Sequence, residues 1–158
     1  MDRTIDIFNF EPEGSEKVSL EQQFQNERIT WNNKIQSMSA QMKKTLDMAE
    51  LMTTIYTDRQ QCLEYYHYLL SILIRLNVKY RKEYAEKYDF WTTKSQIRYP
   101  NESTKVNKIL SEMSKIHQER EIIENHANFC KNTLSTIDNV IYAIPRRIDL
   151  EHLARGDK

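Results

Sequence analysis

Few residues in this chain have the types and spacing needed for bond-making chemistry. Glu64 and His67 form one Glu-x-x-His step, the spacing by which helical bundles hold a pair of metal ions, but that design takes two such steps and two further carboxylates. His126 and Cys130 stand one helical turn apart and would share a metal only with further ligands that the sequence does not offer. Structural roles are expected for all four. Glu121 and Glu124 pair as acids on a helix surface usually do, solvated rather than catalytic. There is no Gly-rich phosphate loop and no activated nucleophile, so neither enzyme activity, nor a cofactor, nor a metal is expected.

The residues that do suggest a function are cations interleaved with rings. Lys79, Arg81, Lys82, Lys87, Lys94 and Arg98 lie close in sequence to Trp91 and Tyr99, with Phe90, Lys105 and Lys108 nearby. Single-stranded nucleic acid is held by this mixture, cations taking phosphates and rings stacking on bases. Composition alone also permits a solvated basic face, with Trp91 turned into a core.

Long helices must position these residues. With two glycines and three prolines in 158 residues, little punctuation is left for sheet hairpins, and an all-α fold follows. From Ser103 to Ile144 a heptad stripe runs through Val106, Ile109, Met113, Ile116, Ile123, Ala127, Cys130, Leu134, Ile137 and Ile141, broken only by Arg120. So narrow a stripe needs another helix against it. Asn101 or Ser103 is expected to cap this helix and Pro145 to end it.

A second register runs from Ser19, an N-cap whose capping box is completed by Gln22, to the next proline at Pro100. Unbroken, it would make a rod of roughly 120 Å. A break is expected between Thr53 and Asp58, where β-branched residues cluster and Thr57 with Gln60 repeats the capping-box spacing; the alternative is a whole rod paired with another copy. The residues Thr57 to Arg98 are apolar beyond one stripe, so this segment should touch both the Ser103 helix and a further one. The expectation is a long antiparallel helical hairpin or coiled-coil bundle with an extra N-terminal helix and a short C-terminal helix. Residues 1–18 read as a flexible acidic arm and 19–158 as one helical domain, its helices near 19–55, 57–98, 103–144 and 148–155.

Formal charge is zero, from 23 bases and 23 acids, yet it is polarised. Residues 1–27 hold seven acids and two bases, and residues 75–98 seven bases and three acids. Cys62 and Cys130 fall in helix stripes and suggest no disulfide framework. Met1 to Phe10 lacks the pattern of a secretory signal, and the apolar stretch Leu63 to Val78 is interrupted by Glu64, His67 and Arg75. A cytoplasmic protein without membrane contact is expected.

The stretch Lys87-Tyr88-Asp89-Phe90-Trp91-Thr92 resembles the segment ending the first long helix of UvsY-type recombination mediators of T-even-like phages. Lys108-Ile109-Leu110-Ser111, Asn128-Phe129-Cys130, Ala143-Ile144 and Ala154-Arg155-Gly156 are similar to that family's second helix and tail, in order and approximate spacing. Of the family's basic pair before the aromatic pair, only the second member has a counterpart, Lys87; Ala85 occupies the first position. The resemblance implies a homo-oligomer, ring-like in the family, that binds single-stranded DNA and helps load a RecA-like recombinase onto DNA coated by a single-strand-binding protein. It places subunit contacts on the C-terminal helices, here Leu134, Ile137, Ile141, Ile144, Ile148 and Leu153. The rival expectation is a coiled-coil scaffold binding only protein partners, through Phe24, Trp31, Ile35 and Met38.

Overall fold

The computed structural model describes residues 19–44 and 48–156; the expected acidic arm, residues 1–18, lies outside the described residues. Four helices make up the described chain: α1 (Leu20–Lys44), α2 (Met48–Asp89), α3 (Glu102–Glu112) and α4 (Ser114–Arg155). A π-helical turn, Phe90–Lys94, extends α2, and no strand occurs among the described residues. None of these helices is long and apolar enough to cross a membrane.

α2 and α4 form the expected antiparallel hairpin. Cys62 on α2 meets Cys130 on α4, with the Cys62 thiol 3.7 Å from the Cys130 carbonyl, while Arg59 reaches Asp138 at 2.6 Å. α1 folds back along both helices. Phe24 packs in one core cluster with Cys62, Leu69 and Ile72, and Met38 packs in another with Leu51, Ile55, Ile137 and Ile144. Half of the molecule is therefore a three-helix bundle, and α1 is the further helix that the apolar surplus of α2 required. Beyond Leu76 only the hairpin continues, around Ile109, Met113 and Ile116 packed on Tyr80, Tyr84, Tyr88 and Trp91. Each fully buried aliphatic side chain contributes about 1.5–3 kcal/mol, so the distal hairpin, with its short core, is the less stable end.

α1 is described to Lys44 and α2 from Met48, and α2 runs unbroken through Thr53 to Asp58, so the expected break there does not occur. Thr53, Thr54 and Thr57 turn their hydroxyls onto the carbonyls four residues back, at 3.0, 3.2 and 2.9 Å. The hydroxyls are satisfied inside the helix, and Thr57 caps nothing. Tertiary contacts then hold the stretch straight: Ile55 is fully buried, Asp58 pairs with Lys34 on α1, and Arg59 pairs with Asp138 on α4. A whole rod paired with another copy is not formed, because α1 packs back on α2 and α4 of its own chain. Phe24 and Met38 are buried and Trp31 and Ile35 half-buried within the chain, so the scaffold's expected partner surface is already covered.

Two other helix ends differ from expectation. α4 runs through Pro145 to Arg155, because Ile144 is buried against Met38, Leu51 and Ile55 and Ile148 packs on the same cluster. Packing on both sides of Pro145 outweighs its missing hydrogen bond, so there is no separate helix at 148–155. The stripe starting at Ser103 is interrupted once, at Met113, which ends α3 with φ −99° and ψ 7° while staying in the core. Asn101, rather than Ser103, caps α3, accepting from the Thr104 N–H at 2.8 Å. Ser19 caps α1, accepting from the Gln22 N–H at 3.2 Å. Arg120, the polar intruder in the stripe, lays its guanidinium 4.7 Å over the Tyr80 ring.

Candidate nucleic-acid interface

The distal end of the hairpin gathers the predicted cations and rings. At Asp89 the α-helix widens into the π-helical turn, and Ser95 leaves it extended, with ψ 137°. The chain then doubles back through Pro100 to the Asn101 cap. This route brings Tyr99 onto Trp91, edge to face at 5.5 Å, with Phe90 on the other side at 5.2 Å. Trp91 belongs to the Ile109–Met113 core cluster and its indole N–H points to Glu112 at 3.5 Å. Half-buried Trp91 and Tyr99 therefore brace the turn, and the ring most open to a base is Phe90, 47 % exposed.

The cations differ in how free they are. Lys87 is half-buried and holds Glu112 at 3.0 Å, Lys94 holds Asp89 at 3.0 Å, and Lys108 reaches Glu112 at 3.5 Å. Lys105 binds Glu102 at 2.9 Å and lies 4.3 Å over the Tyr88 ring, whose hydroxyl donates to the same carboxylate. Lys79 and Lys82 make only long pairs within α2, to Glu83 and Glu86, both 3.9 Å. Arg81 and Arg98 are exposed and make no ion pair among the described residues. Over residues 75–121 there are 11 bases and 7 acids, so this end keeps a positive excess after local pairing.

The carboxylates respond to these neighbours. Glu112 is held below its usual range, chiefly by Lys87. Lys105 and the Tyr88 hydroxyl do the same to Glu102, and Lys94 to Asp89, with Thr93 adding a hydrogen bond. Lys105 is raised in turn by Glu102. Glu112, the shared acceptor of this end, did not emerge from the sequence: its spacing to Lys108 was visible, but its contacts with Lys87 and Trp91 depend on the fold.

The other candidate groups lie away from this end, on the half of α2 and α4 that α1 covers. Among the described residues no cluster of three metal-ligating side chains occurs. His67 and Glu64 are exposed, Glu64 accepting from Gln60 at 2.9 Å. His126 is fully buried, stacked 4.0 Å from Phe24, with Nε2 2.8 Å from Glu27 and Nδ1 3.5 Å from the Arg28 Nε. This pattern suits a proton on Nε2 donated to Glu27 and a lone pair on Nδ1 accepting from Arg28. The Tyr65 hydroxyl is pushed up by burial and by its hydrogen bond to Glu27. Cys62 and Cys130 are free buried thiols that hydrogen-bond as a pair: that bond, and then burial, pushes the Cys130 thiol up, while the same bond lowers Cys62.

The residues expected to assemble subunits are mostly occupied inside the chain. Leu134, Ile137 and Ile144 are buried, and Ile141 and Ile148 pack on the Met38 cluster. Only Leu153 of that set is exposed, joined on α4 by Tyr142 and Leu150. Comparison with protein families, with curated proteins and with solved structures finds no match for this chain.

Proposed function

We propose that the protein is a non-enzymatic recombination mediator: a homo-oligomer that binds single-stranded DNA and helps load a RecA-like recombinase onto strands coated by a single-strand-binding protein. The carrying observation is the positive excess of the distal end, where exposed Arg81 and Lys82 precede, and exposed Lys94 and Arg98 interleave with, the Phe90–Trp91–Tyr99 cluster along the chain. The likeness of the Lys87–Thr92 segment to UvsY-type mediators supports the same reading and supplies the recombinase, the coating protein and the cytoplasmic setting.

In this mechanism Arg81 and Arg98 meet phosphates first. Lys79, Lys82 and Lys94 exchange solvated carboxylates for phosphate at little cost, since exposed pairs contribute about 0–1 kcal/mol. Lys87 holds Glu112 and so braces the turn, while Phe90 offers a face to a base. One tip binds weakly, and several tips on an oligomer engage one strand together. Subunit contacts fall to Tyr142, Leu150 and Leu153.

The test is binding of a fluorescent oligo-dT across a salt series, with native mass recorded in the same buffer. Tight binding that weakens steeply with salt is expected, on a particle of several subunits. The triple variant Lys82→Glu, Lys94→Glu, Arg98→Glu should flatten the log–log salt slope by about 2, at about 0.7 per lost cation. No binding at low salt overturns the proposal. The second reading, a scaffold that binds only proteins, draws on the carboxylate partners of Lys87, Lys94, Lys105 and Lys108; it predicts that null result.

A further inference from the structure

Ile74 and Val78 are the anomaly of α2. They are 65 % and 64 % exposed, although the helix around them is otherwise apolar toward its partners. With Arg81 and Ala85 they recur at i, i+4, i+7 and i+11, which puts them on one face of the helix. Lys82 stands beside this face with its side chain 77 % exposed. The face is apolar along its centre and basic within it, its border carries Lys82 with Glu86 3.9 Å away, and no helix among the described residues covers it.

The matching segment lies in the same chain. Residues 1–18 hold five acids and two bases, and four of their apolar residues, Ile5, Ile7, Phe8 and Phe10, are gathered in Ile5-Asp6-Ile7-Phe8-Asn9-Phe10-Glu11. Alternating acids and large apolar groups complement a surface of Ile74, Val78, Arg81 and Lys82. The starting point is close. Leu20, the first residue of α1, packs against the cluster that contains Ile72 and Leu76, the level of α2 just before Val78. Twelve residues from Phe8 to Leu20 reach about 40 Å when extended, whereas the far side of a helix is only about 10–12 Å away.

We propose that this acidic arm docks in cis on the Ile74–Ala85 face of α2, placing Ile7, Phe8 and Phe10 on Ile74 and Val78 and its carboxylates beside Arg81 and Lys82. Docked there, the arm occupies cations that the proposed function assigns to phosphate, so a bound strand and a bound arm exclude one another. That consequence rests on the DNA-binding reading; the docking does not.

The experiment places the photo-reactive p-benzoylphenylalanine at position 8 of the full chain, followed by irradiation, digestion and mass spectrometry. The expected product is an adduct within one chain on the peptide carrying Ile74 to Ala85. Ile74→Glu with Val78→Glu should lower its yield at least tenfold while helix content by circular dichroism stays unchanged, because both side chains face solvent. No adduct, an adduct elsewhere, or a yield unaffected by the double variant overturns the docking. An adduct bridging two chains also overturns it, and gives the face to a second copy. Oligo-dT added before irradiation should suppress the adduct. If it binds in the salt series yet leaves the adduct intact, mutual exclusion falls; if it binds nowhere, the DNA reading falls and the adduct still stands as evidence for docking.

Discussion

Replacing Pro145 by alanine tests the most unexpected feature of the fold, a proline inside a 42-residue helix. Pro145 donates no hydrogen bond to Ile141, and an interior proline costs a helix about 3 kcal/mol relative to alanine. Its ring is exposed, but it helps line a groove with Met48, Met52, Ile144 and Ile148, so alanine also gives up a little packing. The net expectation for Pro145→Ala is a gain of about 1–3 kcal/mol. At about 2–4 °C per kcal/mol for a domain of this size, Tm should rise by about 2–12 °C. Hydrogen exchange should slow at the amides just after position 145, in the last turns of α4. An unchanged or lower Tm, with those amides exchanging as fast as before, would mean that the helix ends at Ile144 and that the packing of Ile148 on the Met38 cluster does not hold it.

Further consequences can be measured separately. His126→Ala removes the ring between Phe24 and Phe129 and takes one hydrogen-bond partner each from Glu27 and Arg28, so urea unfolding should show a loss of about 2–4 kcal/mol. Glu112 is depressed in the folded chain, so its stabilisation is fully present above its ordinary value near 4.5 and is lost as pH falls through the lower folded value. Thermal melts between neutral and acid pH should accordingly show a weaker pH dependence below that value for Glu112→Gln. Leu150→Glu with Leu153→Glu should lower the native mass seen by light scattering without changing Tm, since both side chains are exposed. Truncation after Ala143 is the poorer experiment, because it also removes the core residue Ile144. The coupling between Arg59 and Asp138 in a double-mutant cycle should be about 0.5–1 kcal/mol, as expected for a half-exposed pair.

The helical class, the α2–α4 pairing and the distal cation–ring cluster could be read from periodicity and composition. Heptad spacing reports which residues share a face, and that alone demands a partner helix. It does not say which partner. Phe24, Trp31, Ile35 and Met38 looked like a surface for another protein, and Ile137 and Ile144 like a seam between subunits, because an apolar stripe is the same whether its own chain or a second one covers it. The candidate interface divides in the same way. Lys82, Arg81 and Arg98 were visible as charges, whereas the engagement of Lys87 and Lys108 with Glu112 depends on how α2 and α3 meet.

Local signals failed where tertiary contacts outweighed them. Thr57 with Gln60 has the spacing of a cap, and Pro145 is a strong stop, yet each effect amounts to no more than about 1–3 kcal/mol. Burying Ile55, Ile144 and their neighbours between three helices contributes more. By itself the sequence determined that the chain would be helical, where its charge would gather and that apolar faces would need cover. Only the tertiary structure decided that α1 supplies that cover, that α4 runs through its proline, and that Ile74 and Val78 are left open, because those outcomes are set by sums of burial across helices distant in sequence.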